Sequence, residues 1–74
     1  MAATPYHVAE AFSEGRSAHA GNFVATPREL WSYNMLIAHR HVGGEISWDI
    51  DPTNPPKVSV TTSRHIKAAL SVLR

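Results

Sequence analysis

Hydrophobic and polar residues alternate along two short stretches in the second half of the chain. Residues 45–50 carry an isoleucine or tryptophan at every second position, which is typical of a strand with one buried and one solvated face. Residues 57–61 repeat the pattern with Val58 and Val60. Residues 51–56 contain three prolines together with Asp and Asn, so they predict the loop of a β-hairpin between two strands.

The end of the chain has helical periodicity instead. Apolar residues recur there at intervals of three and four, at Ile66, Ala69, Leu70 and Leu73. One face of this helix is therefore apolar and can cover a sheet. The hydroxyl-rich residues 61–63 precede the apolar stripe and predict the N-terminal cap of the helix.

A shorter helix is predicted at the start of the chain. Thr4 is a favourable N-cap residue, Pro5 suits the first helical position, and Gly15 provides a stop. The positions that would face inward are Val8, Ala11 and Phe12. Residues 16–21 are interpreted as a loop.

Residues 29–40 carry conflicting signals. Thr26 and Glu29 form a capping box and Gly43 supplies a stop, which favours a helix. Alternation favours a strand, whose buried face would comprise Trp31, Tyr33, Met35 and Ile37. Periodicity leaves both interpretations open, and residues 22–25 are a candidate for one more strand.

Composition limits the size and class of the protein. The chain has 74 residues, of which 43% are hydrophobic and 18% charged, and it has no cysteine. These values predict a single small globular domain over residues 1–74 without disulfides. No apolar run is long enough for a signal peptide or a membrane span. We therefore expect a cytoplasmic protein with no membrane partner.

Charge is unevenly distributed, although the formal net charge is only +1. Residues 52–74 contain four basic residues and no acidic residue. On the predicted helix a basic ridge is formed by Arg64, Lys67 and Arg74. About three or four phosphate contacts support little more than non-specific affinity, so the ridge predicts weak nucleic-acid binding at most.

A resemblance to known proteins covers residues 21–66. The matching residues are Gly21, Asn22 and Phe23, then Leu30, Trp31, Ser32 and Tyr33, then Ile37 and Ala38, and finally Val58, Ser59, Val60, Thr61, Thr62, Ser63, Arg64 and His65. They resemble a group of small uncharacterised proteins from bacterial viruses and archaea, which share a Leu-Tyr-Ser-Tyr-Gly-Thr segment and a Ser-x-Thr-Thr-Ser-Lys/Arg-His ending. Trp31 stands where that group has a tyrosine, Asn34 a glycine and Met35 a threonine.

The resemblance implies a phage origin, with the host cytoplasm as location, and a compact β-rich fold, but no particular reaction. It also favours a strand over residues 29–40. The predicted fold is therefore α+β, with a small antiparallel sheet of three to four strands packed against a C-terminal amphipathic helix, and a short N-terminal helix.

The start of the C-terminal helix is the candidate contact site. A protein or nucleic-acid partner would contact Thr62, Ser63, Arg64, His65, Lys67 and Arg74. The N–H groups at a helix N-terminus also favour a phosphate, but capping of the helix explains the same hydroxyl residues more simply.

Five histidines are a high proportion for a chain of this length. His39 and His41 would share one face of a strand, and a metal ion would need a third ligand such as His65 or Asp49. The two-residue spacing is a weak signal, so surface imidazoles are the preferred interpretation and no cofactor is predicted. The sequence has no nucleophile elbow, phosphate loop or carboxylate pair, so no enzymatic activity is predicted.

Leu30 and Leu36 point to an interface. If the alternate residues of their strand face the core, both leucines lie on the other face of the sheet, where the N-terminal helix or a partner must cover them. The leading hypothesis is a non-catalytic accessory protein that binds a host protein or a second copy of itself as a homodimer. Weak nucleic-acid binding through the basic ridge is the alternative.

Overall fold

The computed structural model describes residues 4–54 and 57–73 as an α+β fold. Its elements in chain order are α1 (Pro5–Ser13), β1 (Ala18–Ala20), β2 (Phe23–Ala25), β3 (Glu29–Ser32), β4 (Met35–Arg40), β5 (Ile46–Trp48) and α2 (Val60–Leu73). The strands form one antiparallel sheet in the order β1-β2-β3-β4-β5. The predicted fold class is confirmed, with five strands instead of three or four. One of these strands, β1, lies where a loop was predicted.

The first helix forms where the sequence predicts it. The Thr4 hydroxyl accepts a hydrogen bond from the His7 amide at 3.2 Å, and Pro5 occupies the first turn, where its missing N–H has no partner to lose. Gly15 follows the helix with a φ of +75°, a left-handed conformation that glycine tolerates. The predicted inward face is confirmed by the burial of Val8, Ala11 and Phe12.

Residues 29–40 are extended, but they form two strands and not one. A two-residue turn at Tyr33 and Asn34 joins β3 to β4, and Ser32 pairs with Met35 across it. Tyr33 has a φ of +56°, in the region that hairpin turns usually give to Gly, Asn or Asp. The choice of strand over helix was right, whereas the single continuous strand was wrong.

The capping-box signal at Thr26 belongs to a turn. The Thr26 hydroxyl accepts hydrogen bonds from the amides of Glu29 at 2.9 Å and Arg28 at 3.3 Å. The Thr26 amide in turn donates to the Glu29 carbonyl at 2.8 Å. The same local side-chain contacts that start a helix thus close the tight connection between β2 and β3.

The strand predicted at residues 57–61 is absent, because α2 already begins at Val60. Ser59 caps this helix: its hydroxyl accepts from the Thr62 amide at 3.2 Å and its carbonyl from the Ser63 amide at 2.9 Å. Residues 61–63, the predicted cap, are therefore the first turn of the helix. Two valines are too short an alternation to outweigh a serine cap followed by a long helical stripe.

Both helices pack on the same face of the sheet. α1 contacts α2 and strands β1, β2 and β3. The buried cluster between the two layers comprises Val8, Phe12, Phe23, Ala25, Leu30, Ile37, Ala38, Ile66 and Ala69. Each large apolar side chain contributes roughly 1.5–3 kcal/mol when fully buried, so this cluster is the main source of stability in a chain without disulfides.

Arg40, the last residue of β4, links three separate segments of the chain. Its Nε donates to the Pro27 carbonyl at 3.1 Å and its Nη1 to the Gly44 carbonyl at 3.2 Å. Its Nη2 donates to the Phe12 carbonyl at the end of α1. The guanidinium carbon also lies 5.5 Å from the centre of the Phe12 ring, within the range of a cation–π contact.

We predict that Tyr33→Gly stabilises the fold. The left-handed conformation costs a non-glycine residue about 1–2 kcal/mol, which exceeds the roughly 0.4–1 kcal/mol of unfolded-state entropy that glycine adds. Tyr33 is 51% exposed, so little packing is lost. Urea denaturation should show a free energy of unfolding raised by about 0.5 kcal/mol. Tyr33→Phe keeps the β-carbon and should leave stability unchanged; a Tyr33→Gly variant less stable than Tyr33→Phe would contradict the strain argument.

Candidate functional site

The face of the sheet opposite the helices carries an apolar row. His19 pairs with Val24, Val24 with Trp31, and Trp31 with Leu36. Because directly paired residues point to the same side of a sheet, these four side chains lie side by side across β1 to β4. We call them the outer row. Val24 is 36% exposed and the side chains of Trp31 and Leu36 are half-buried, so the outer row is an accessible surface.

A polar row runs beside the outer row. Glu29 pairs with His39, and His39 pairs with Ser47. The Trp31 indole N–H donates to the Glu29 carboxylate at 3.4 Å, which ties the two rows together. A shallow groove of about 520 Å³ crosses this region and is lined by Arg28, Glu29, Leu36, His39, Arg40 and Asp49. The outer face therefore combines an apolar centre with charged groups of both signs.

The two leucines predicted as an interface pair lie on opposite faces. The strand pairing is irregular after Leu30, which pairs with Ala38, whereas Trp31 pairs with Leu36. Leu36 pairs with Trp31 and so shares its face, whereas Leu30, the residue before Trp31, points to the other face. Ile37 is an extra residue between the two pairs, so Ile37 and Ala38 are both buried. Leu30 is 0% exposed in the core, and its assignment to an interface was wrong. Leu36 remains on the outer face, and Trp31, predicted to face the core, joins it there.

A buried polar network connects β3 to α2. The Ser32 hydroxyl lies 2.7 Å from His65 Nδ1 and 3.2 Å from the Thr62 hydroxyl. The Ser59 hydroxyl donates to the Thr62 hydroxyl at 3.1 Å. The His65 ring stacks on Phe23, with centroids 4.4 Å apart and planes 6° apart. Thr62 and His65 were predicted to contact a partner; they are 6% and 5% exposed, so that prediction was wrong.

The Ser32–His65 distance matches that of a nucleophile and its base, but the surroundings favour a structural role. Ser32 is 1% exposed and is held by both Thr62 and His65. An open groove of about 760 Å³ lies beside it and is lined by Ser32, Tyr33, Asn34, Met35, Val58, Ser59 and Thr62. Among the described residues that line this groove, none has a charged side chain that could orient the imidazole or stabilise a developing negative charge.

The basic ridge is present only in part among the described residues. Arg64 and Lys67 are exposed on α2, one turn apart, while Ser63 is half-buried. Arg74 lies outside the described residues. The described ridge therefore consists of two cationic side chains.

Four polar side chains lie together at the end of β4 and on the neighbouring β5 segment. His39 Nδ1 lies 2.7 Å from Asp49 Oδ2, and His41 Nε2 lies 2.6 Å from the Ser47 hydroxyl. The two imidazole rings are 4.7 Å apart, centre to centre, at 62°. His65 lies in the core and does not join them. Within residues 4–54 and 57–73, no three His, Asp or Glu side chains have the arrangement of a complete metal site.

Comparisons with family models, with curated proteins and with solved structures found no match for this chain. In the part of the chain that the structure describes, no helix has both the length and the apolar character needed to cross a bilayer.

We predict that protonation of His65 destabilises the fold. Burial lowers the pKa of His65 below the ordinary value of 6.5. The unfolded chain therefore binds the proton more readily, and stability is lost as the pH falls from neutral through 6.5 towards the folded-state pKa. In urea denaturation at several pH values, His65→Asn should show a weaker dependence over this window than the matched variant His19→Asn, which changes an exposed histidine.

An NMR titration of the wild-type His65 ring provides a second measurement that needs no variant. The titration midpoint should lie below 6.5. A midpoint at or above that value would show that the imidazolium is tolerated in the interior, and the expected pH dependence would then be absent.

Proposed function

We propose that this protein is a non-catalytic binding protein that engages a protein partner through the outer face of its sheet. The observation that carries the proposal is the outer row, in which Val24, Trp31 and Leu36 lie together on the side away from both helices. A contiguous apolar patch with a polar border is typical of a protein-binding surface. The partner is a host protein or a second copy of the chain.

Trp31 is the residue of the outer row best suited to contribute most of the binding energy in such an interface. Tryptophan is enriched among the residues that contribute most to binding, especially near the centre of a contact. Its hydrogen bond to Glu29 and its position between the register partners Val24 and Leu36 restrict the ring before binding. Pre-organised side chains lose less entropy on association.

The charges around the outer row also favour a protein over a nucleic acid. The groove beside Leu36 carries Glu29 and Asp49 as well as Arg28. Carboxylates at this position would repel a phosphate backbone, whereas a mixed border complements the mixed charges of a protein surface. The predicted viral origin is compatible with an accessory role of this kind and remains a prediction.

We predict that Leu36→Lys weakens partner binding about 10- to 100-fold without unfolding the domain. Withdrawing one leucine from an interface costs about 1.5–3 kcal/mol, or roughly a 10- to 100-fold loss of affinity. The measurement is capture from host lysate by tagged protein, together with sedimentation velocity for self-association. Val60→Lys is the matched control, because Val60 is 72% exposed on the opposite layer. Circular dichroism confirms that both variants fold.

Two results would contradict this proposal. One is that the wild-type protein does not self-associate and that every protein it captures is captured by the Leu36→Lys variant as well. The other is an interaction that Val60→Lys weakens as much as Leu36→Lys does.

A second candidate function is weak nucleic-acid binding through α2. It is favoured by the exposure of Arg64 and Lys67 on a helix whose residues include no acid. Two contacts predict a slope of roughly −2 in log affinity against log salt concentration. Arg28, which lines the groove on the outer face, offers a control with the same charge away from α2.

We predict for this second candidate that the double variant Arg64→Glu and Lys67→Glu binds single- or double-stranded DNA at least tenfold more weakly at low salt, whereas Arg28→Glu binds as the wild type does. Fluorescence anisotropy measures both. Undetectable binding by the wild type, or equal loss in the two variants, would eliminate the candidate.

A further inference from the structure

The histidine pair at the end of β4 has features of a metal-binding site. His39 and His41 are two residues apart, and both contact groups on β5 or just after it, namely Asp49 and Ser47. Their rings are in edge contact at 4.7 Å. Their separation in the sequence is a weak signal, but the fold places both imidazoles together at an accessible edge of the outer face.

The hydrogen bonds of the two rings define which nitrogens can bind a metal. An ionised carboxylate only accepts hydrogen bonds, so His39 Nδ1 carries the proton that it donates to Asp49, and Nε2 keeps its lone pair. The Ser47 contact engages Nε2 of His41, and when this nitrogen donates to the hydroxyl, Nδ1 keeps its lone pair. Histidine ligands in metalloproteins are held in the same way, with the second nitrogen donating to a carboxylate or another acceptor.

The distance between the rings also suits a shared metal ion. Metal–nitrogen bonds of about 2.1 Å place two imidazoles on adjacent coordination positions with ring centres roughly 4.5–5.2 Å apart. The observed separation is 4.7 Å. The spacing of the two rings is therefore within the range expected for two imidazoles on one ion.

We propose that His39 and His41 form a two-histidine site for a divalent late transition-metal ion such as Ni²⁺, Cu²⁺ or Zn²⁺, with Asp49 as the positioning residue of His39. Imidazole donors select these ions, and the remaining coordination positions take water. Mg²⁺ and Ca²⁺ prefer oxygen ligands, so they are not bound. Glu29, the register partner of His39, adds a favourable negative charge nearby.

The guanidinium of Arg40 does not oppose this site, although Arg40 lies between the two histidines in sequence. Its side chain extends to the carbonyls of Phe12, Pro27 and Gly44. Its guanidinium therefore lies over the Phe12 ring, towards α1, although Arg40 is also among the residues that line the groove beside His39.

The test is a calorimetric titration of the full chain with NiCl₂, and separately with CuCl₂, in a non-coordinating buffer at neutral pH. We expect His39→Gln and His41→Gln each to bind at least tenfold more weakly than the wild type, and Asp49→Asn to lose roughly 10- to 100-fold in affinity, as is usual for the carboxylate partner of a ligand. His7→Gln, which changes an exposed histidine on α1, is the matched control and should bind as the wild type does. MgCl₂ should give no signal.

A paramagnetic measurement localises the ion independently of affinity. Substoichiometric Ni²⁺ should broaden the NMR signals of the His39 and His41 ring protons before those of His7 and His19. The proposal is overturned if His39→Gln binds Ni²⁺ as the wild type does, if all histidine variants lose affinity equally, or if broadening begins elsewhere in the chain.

Discussion

The hydrogen bond between Ser32 and His65 determines how the helical layer sits on the sheet. Both groups are buried, and a buried polar group without a partner costs about 1–3 kcal/mol. Only one rotation of α2 brings His65 over Phe23 and within 2.7 Å of Ser32. Apolar residues such as Ile66 and Ala69 would allow α2 to pack on the sheet in several similar orientations. The hydrogen bond between Ser32 and His65 selects one of these orientations.

Once α2 is seated in this way, the whole helical layer lies on one side. α1 packs against α2 and against the first three strands, so the two helices share the same face. The opposite face is not covered by either helix, so its properties are set by the side chains of the strands. These include Trp31 and Leu36, which lie beside a row of charged and polar groups. The asymmetry between the two faces is what makes a binding role reasonable for a domain too small to enclose a deep pocket.

The sequence was informative where a signal is strictly local. The limits of α1 follow from Thr4 and Gly15, and the apolar stripe of α2 from its spacing. It was misleading where the same local signal occurs both in turns and at helix starts. The Thr26 hydroxyl closes a turn through hydrogen bonds of the kind that also begin a helix. The strand predicted around Val58 failed because Ser59 acts as a cap.

The candidate site was harder to predict than the fold, because its residues are selected by register. A turn at Tyr33 and one extra residue at Ile37 reverse which residues face outward. The periodicity of the sequence does not show this reversal. Leu30 and Leu36 were therefore assigned to the same face of the sheet. The approach of His39 to Asp49 likewise depends on the pairing of β4 with β5. Long-range pairing of this kind has no local signature.

The side chain of Arg40 has a consequence for the order in which the domain assembles. Its three carbonyl partners lie 4, 13 and 28 residues away in the sequence, at Gly44, Pro27 and Phe12 respectively. The entropy lost on closing a loop increases with its length, so contacts near β4 form at the least cost and the contact with α1 at the greatest. Loop-closure entropy alone thus favours an order in which the Arg40 contacts with Gly44 and Pro27 form before its contact with Phe12 of α1.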